Sequence, residues 1–174
     1  VGLLTHWRNR YYCNPFQHAT SLEVGRVDMG VDYFGTGPIR AMGRARIIGD
    51  GGAGWPGGHY LAYTLLRGKH KGRHVYVAEA VTPVVKAGQV VKRGQMIARF
   101  APKAAPGKFP GIETGWSSPT LNRTLAAETG QTGGADHADS PAGVCFARFL
   151  HHHGAPAPLV PNQAHGLEYP RPLL

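Results

Sequence analysis

The residues best placed for chemistry are acids. In the stretch Arg26-Val27-Asp28-Met29-Gly30-Val31-Asp32-Tyr33, Asp28 and Asp32 lie four apart with a glycine between. On one extended strand both side chains project to the same face. Two acids on one face repel unless a cation, a shared proton or a base compensates. The plain alternative is a turn in which Asp caps backbone amides. A third acid, Glu113, sits in Pro-Gly-Ile-Glu-Thr-Gly-Trp (110–116), where Trp116 offers apolar cover that would raise a carboxyl pKa; an exposed strand acid is the alternative. A fourth, Glu79, falls in the alternating run His74-Val75-Tyr76-Val77-Ala78-Glu79-Ala80-Val81 on the face of Val75 and Val77. An acid among core valines needs a reason.

Other candidates carry less. Trp55, in the Gly-rich stretch 49–59, either stacks on a sugar ring or base or anchors its loop, which is expected to be mobile. The basic cluster 68–74 (Lys69, His70, Lys71, Arg73, His74) either holds phosphate or is a solvated hairpin tip. Consecutive helical residues point about 100° apart, so His151, His152 and His153 cannot face one ion from a rigid helix. No phosphate loop, GxSxG elbow, HExxH helix or Cys-His zinc spacing occurs.

The elements that must position the acids are short. The runs 39–48, 59–66, 74–81 and 95–100 read as β-strands separated by glycine. The segment 84–98 carries two turn signals, Ala87-Gly88-Gln89 and Arg93-Gly94-Gln95, which suit a chain doubling back in a small β-sandwich or barrel. Ser140 as N-cap, Pro141 at the first helical position and Gly154 past the end predict a helix near 141–153, with Val144, Cys145, Phe149 and Leu150 as its buried stripe. The division is an irregular N-terminal arm (1–23, with Trp7, Tyr11, Tyr12 and Phe16), a β core (24–118), and a C-terminal extension (119–174) ending in a Pro-rich tail packed through Leu159 and Tyr169. Residues 101–110 read as a Pro-rich loop.

The chain has 174 residues, enough for a core without metal or disulfide help. Its 25 Gly and 14 Pro lack a three-residue period, which excludes collagen and favours turns. Nineteen Lys and Arg against ten Asp and Glu give +9, a balance that attracts polyanions such as nucleic acid, anionic lipid or wall polymers. No apolar run is long enough to span a bilayer. The chain opens at Val1 rather than Met, as a processed product would. Cys13 and Cys145 are either a disulfide, which implies an oxidising compartment, or two free thiols.

Over residues 25–116 the order of pieces resembles the LytM/lysostaphin-type zinc endopeptidases that cut peptidoglycan cross-bridges. Asp28-Met29-Gly30-Val31-Asp32 sits on that family's His-x-Gly-x-Asp motif, with Asp28 in place of the histidine. Val77-Ala78-Glu79 sits on its Tyr-Ala-His element, with Glu79 replacing the histidine. The run Val85 to Ile97 reproduces its turn-strand segment, one that lipoyl and biotinyl carrier domains share. Pro110-Gly111-Ile112-Glu113 sits on its Pro-His-Leu-His element, with Glu113 replacing the third zinc ligand.

The resemblance implies a mainly β, LytM-type fold and a cell-wall setting: extracellular, cell-surface or on a phage virion. It implies peptidoglycan or another wall polymer as partner, and not nucleic acid. The histidines are absent, so zinc peptidase activity is not carried over. An all-carboxylate set suits calcium, magnesium or manganese better than zinc, with Asp28, Asp32 and Glu113 as ligands; no other cofactor is expected. Three readings follow. One is a muralytic glycoside hydrolase, with Glu113 the general acid, Asp32 or Asp28 the base or nucleophile, Glu79 tuning them, and Trp116, Trp55 and Tyr33 lining the substrate groove. The others are a non-catalytic wall-binding or structural module, and a domain stabilised by a divalent cation.

Overall fold

The computed structural model describes residues 10–102, 111–131 and 139–158. Trp7, most of the 101–110 loop, Leu159 and Tyr169 lie outside the described residues. The strands are β1 (Thr20–Val27), β2 (Val31–Thr36), β3 (Pro38–Arg40), β4 (Ala45–Gly51), β5 (Tyr60–Leu65), β6 (His74–Glu79), β7 (Val81–Pro83), β8 (Val90–Val91), β9 (Met96–Phe100) and β10 (Ile112–Ser117). Two helices follow, α1 (Leu125–Glu128) and α2 (Pro141–His152). A seven-stranded antiparallel sheet has the order β1-β2-β10-β6-β5-β4-β8, and a three-stranded sheet the order β3-β9-β7. The mainly β architecture expected from the sequence is the one observed.

Alternation gives the large sheet two apolar faces. Leu61, Tyr63 and Leu65 of β5 and Val75 and Val77 of β6 enter the main core, while Tyr60, Ala62, Tyr76 and Ala78 form a smaller cluster on the opposite face. Trp116 of β10 lies in the main core, fully buried, with its ring against Phe146 and Phe149 of α2. The opposite face carries Tyr60 stacked on Tyr76 with ring centroids 4.9 Å apart, and Trp55 tilted against both.

The expected run 39–48 is two strands. Residues 41–44 cross from the small sheet to the large one, and Tyr12 bridges to Gly43 at the crossing. The two expected turns of 84–98 are copies of one device. Gly88 and Gly94 take positive φ (+83° and +75°), and Lys86 and Lys92 donate their backbone N–H to the side-chain oxygens of Gln89 and Gln95. The 49–59 stretch is docked rather than loose: β4 continues to Gly51, and the Trp55 indole N–H donates to the Asn122 carbonyl at 3.3 Å. The Trp55 indole thus anchors this stretch to Asn122. His70 is no solvated hairpin residue. Its ring packs on Tyr12, Trp116 and Phe149, and burial followed by the Arg73 charge lowers its pKa to about 4.

Helix α2 forms where its caps predict. Ser140 Oγ accepts from Gly143 N at 3.0 Å, and Gly154 takes φ +85°. The same Ser140 hydroxyl donates to the Asp28 carbonyl at 2.6 Å, and Ser140 N donates there at 2.9 Å. The helix start is thus tied to the β1–β2 turn. Gly143 permits that approach, because a Cβ there would lie 2.2 Å from the Asp28 carbonyl oxygen. Alanine is a better helix former by about 1 kcal/mol, yet Gly143→Ala is expected to lower the thermal midpoint. A stabilised Gly143→Ala protein would contradict this docking.

Candidate functional site

The acid centre is built from three strands and one turn. Asp28 and Asp32 do not share one strand, as simple alternation suggested. Val27 pairs with Val31, so residues 28–30 form a three-residue hairpin turn, with Asp28 in the turn and Asp32 in β2. The capping alternative is partly realised, since Asp28 Oδ1 accepts from Met29 N at 2.7 Å. Glu113 of β10 lies directly across from Asp32 on one side and Ala78 on the other. Residues facing each other across an antiparallel pair share a sheet face. The row Asp32, Glu113, Ala78, Tyr60 therefore crosses the sheet on the face opposite helix α2.

Glu79 reaches this region by a backbone switch. Strict alternation would place it with Val75 and Val77, but it sits at φ +79°, a left-handed conformation that costs non-glycine residues on the order of 1 kcal/mol or more. Its N–H donates to the His59 carbonyl, and Gly57 lies against its carbonyl so closely that a Cβ there would be 2.6 Å from it.

One oxygen from each of Asp28, Asp32 and Glu113 lies within 4.8 Å of the others. Asp32 and Glu113 are 2% and 3% exposed, and Asp28 and Glu79 each 7%. Two groups that the sequence reading missed manage this charge. Arg26 Nε bonds Asp28 Oδ2 at 2.8 Å and Asp32 Oδ2 at 3.1 Å. The Tyr76 hydroxyl donates to Glu113 Oε1. That phenol has room because two glycines flank it: a Cβ on Gly30 would stand 2.5 Å from its oxygen, and one on Gly115 2.8 Å from its ring. The alternation of Arg26 with Asp28 was a readable signal for the first group; nothing local marked Tyr76.

Burial is the leading cause of every resolved pKa shift among these acids. It raises Asp32 to about 6, with Asp28 adding to the rise and Arg26 opposing it. It raises Glu79 to about 8, with Asp32 as the next cause. Glu113 is pushed well above the usual carboxylate range by burial and then by Asp28, against the Tyr76 hydrogen bond. Asp32 Oδ1 and Glu79 Oε2 are buried with no hydrogen-bond partner.

The aromatic residues expected to line a substrate groove are placed differently. Trp116 is fully buried beneath α2, and its position three residues from Glu113 puts it on the other sheet face. Tyr33 is fully buried too, packed on Phe16 and donating to the Pro156 carbonyl. Neither can touch a substrate where it stands. Trp55 is half-buried over Tyr60 and Tyr76 on the acid-bearing face. His153 is buried against Tyr12 and Phe149 while His151 and His152 are exposed, so the triple histidine does not converge. Cys13 and Cys145 form no disulfide.

The donor set does not fit zinc of the kind the resemblance implies. Such sites draw on imidazole or thiolate, and this group has only carboxylate oxygens. Oxygen donors suit hard cations instead.

No family model and no curated protein matches the chain. Among solved structures it is similar to the NMR solution structure of lysostaphin, with TM-score 0.55 and 17% identity over 95% of this chain and 62% of that one. It also aligns with the antimicrobial peptidase lysostaphin from Staphylococcus simulans, at TM-score 0.49 and 19% identity, over 97% of this chain and 58% of that one. The chain thus spans about three fifths of the length of these structures. The first likeness shows a lysostaphin-like fold.

The shifts set a pH dependence. Glu79 and Asp32 bind protons more tightly folded than unfolded, so their contribution to stability is present at low pH and is lost as pH rises toward about 8 and 6 respectively. His70 and His153, both lowered to about 4 with burial as the first cause, act oppositely: their contribution is present above 6.5 and is lost as pH falls through 4. Chemical denaturation across pH should show maximal stability under mildly acidic conditions. Glu79→Gln should be more stable than wild type at pH 8 and similar to it at pH 5. Equal loss of stability at both pH values would contradict the assignment.

Proposed function

We propose that this chain is a cell-wall-directed protein whose acid centre holds a hard divalent cation (calcium, magnesium or manganese) where its zinc-dependent look-alikes hold zinc. The convergence of Asp28, Asp32 and Glu113 carries this reading. Oxygen ligands of such a cation lie about 2.0 to 2.6 Å from it, so two of them can stand no more than about 5 Å apart. The observed limit of 4.8 Å meets that condition. Arg26 acts as the resident positive charge in the cation-free protein, and its half-exposed side chain leaves it free to yield. Glu79, just outside the trio, supplies a fourth oxygen or receives the proton that a ligand gives up. The wall setting, and with it an extracellular or cell-surface location, rests on the lysostaphin-like fold.

A second reading, glycoside hydrolysis, draws on the contrast between Glu79 and Asp32: a carboxylic acid still protonated at neutral pH beside one that is ionised. Such enzymes place their two carboxyls at least about 5 Å apart across the scissile bond. The trio stands closer than that, so the hydrolase reading would have to draw one carboxyl from Glu79, whereas the trio by itself meets the spacing of a cation site.

Thermal unfolding in chelator-treated buffer decides. At a concentration about a hundredfold above Kd, a hard cation should raise the midpoint by roughly 5 to 10 °C. Asp32→Asn should abolish the shift, and zinc should give a smaller one. No shift with any hard cation would refute the reading. New reducing ends released from peptidoglycan, and lost in both Glu79→Gln and Asp32→Asn, would replace it with the hydrolase.

A further inference from the structure

The positive charge of the chain is segregated. No acidic residue occurs from Tyr33 to Gly49, or from Ala80 to Ile112. The stretch 67–73, at the β5–β6 hairpin, likewise carries Arg67, Lys69, Lys71 and Arg73 with no acid. These segments are distant in sequence, but they meet around one residue, Tyr12. Its backbone bridges to Gly43, next to Arg44. Its hydroxyl donates to the Arg67 carbonyl at 2.8 Å and accepts from His70 N at 2.7 Å. Its carbonyl accepts from Arg93 Nη1 at 3.2 Å. The ring closes through Leu66 N, which donates to the Arg44 carbonyl, Gly94 N, which donates to the Ala41 carbonyl, and Arg40 Nη1, which donates to the Gly94 carbonyl. Arg44, Arg67, Lys69, Lys92 and Arg93 are exposed on this surface.

Like charges on neighbouring turns repel, and acids interspersed among them would relieve that repulsion. Within these three segments none is interspersed. Guanidinium groups present planar, paired donors that match phosphate oxygens. Single-stranded nucleic acid is usually gripped with several exposed rings on which successive bases stack. In this neighbourhood Tyr12 and Trp116 are buried, and Tyr11 is the exposed ring among the described residues.

We infer that the surface around Arg44, Arg67 and Lys92 binds a phosphodiester-linked polyol polymer of the cell wall. The inference rests on the wall-directed reading above. It is independent of the acid centre, whose row lies on β2, β10, β6 and β5.

The test is co-sedimentation of the purified protein with Gram-positive sacculi that carry a polyol-phosphate polymer, and with the same sacculi stripped of it by hydrofluoric acid. Binding to intact sacculi should exceed binding to stripped ones by at least about tenfold. If about four phosphates are neutralised, affinity should fall roughly fiftyfold between about 50 and 200 mM salt. The triple variant Arg44→Gln/Arg67→Gln/Lys92→Gln alters exposed side chains and should keep the wild-type thermal midpoint while losing at least about tenfold in binding. Equal binding to stripped sacculi, or an unaffected triple variant, would overturn the inference while leaving the wall-directed reading intact. Binding to neither kind of sacculus would overturn both. Tighter binding of a single-stranded DNA of matched phosphate number than of soluble polyol phosphate would reassign the surface to nucleic acid.

Discussion

The structure depends on keeping four carboxyl groups out of water, three of them with oxygens within 4.8 Å of one another. Isolated carboxylates do not survive burial, because desolvation penalises the charged form and each neighbour penalises it further. Three devices answer the problem here. Arg26 places one positive charge across Asp28 and Asp32, Tyr76 directs a hydroxyl at Glu113, and Glu79 and Glu113 retain protons at pH values where free glutamate has lost them. The compensation is incomplete. One oxygen of Asp32 and one of Glu79 remain without a partner, and buried acceptors left unmatched are costly. A centre that only served the fold would gain from replacing these acids by apolar residues of similar volume, as buried ion pairs often do. On the proposed cation reading, such oxygens are available as ligands.

The rest of the architecture holds this arrangement in register. The β1–β2 turn is fixed from one side by the start of α2, through Ser140 and Gly143, and from the other by β10 and the Tyr76 phenol, through Gly30 and Gly115. These glycines serve close approach: at each, a methyl group would overlap backbone or ring atoms. Trp116 and Tyr33, on the opposite sheet face, lock β10 and β2 into the core from behind. The aromatic residues near the acids are thus mainly supports. Trp55 and Tyr60 back the Tyr76 ring, whose hydroxyl meets Glu113.

Much of this was legible in the sequence where the information is local. The cap residues of α2 announce themselves within fifteen positions, and Gly88 and Gly94 mark turns because the backbone there needs positive φ. The grouping of Asp28, Asp32 and Glu113 came from the order of motifs rather than from periodicity. Periodicity put Asp28 and Asp32 on one strand, since it cannot see that Gly30 closes a hairpin between them. It also left Glu79 among the valines, because a left-handed residue in a strand breaks the alternation without any sign in its side chain. Tyr76 was hidden for a different reason. Its role depends on β6 lying beside β10, a pairing of segments more than thirty residues apart that only the folded sheet reveals. Trp116 looked like a neighbour of Glu113 because the two are close in sequence, whereas in a strand an odd spacing separates faces.

The central claim is that the acid centre is a cation site of oxygen donors. Its most direct test is the anomalous difference map of crystals grown with manganese. The account predicts one strong peak about 2.0 to 2.6 Å from oxygens of Asp28, Asp32 and Glu113, with the Arg26 side chain turned away. A map with no peak there, and Arg26 still seated across both aspartates, would contradict it.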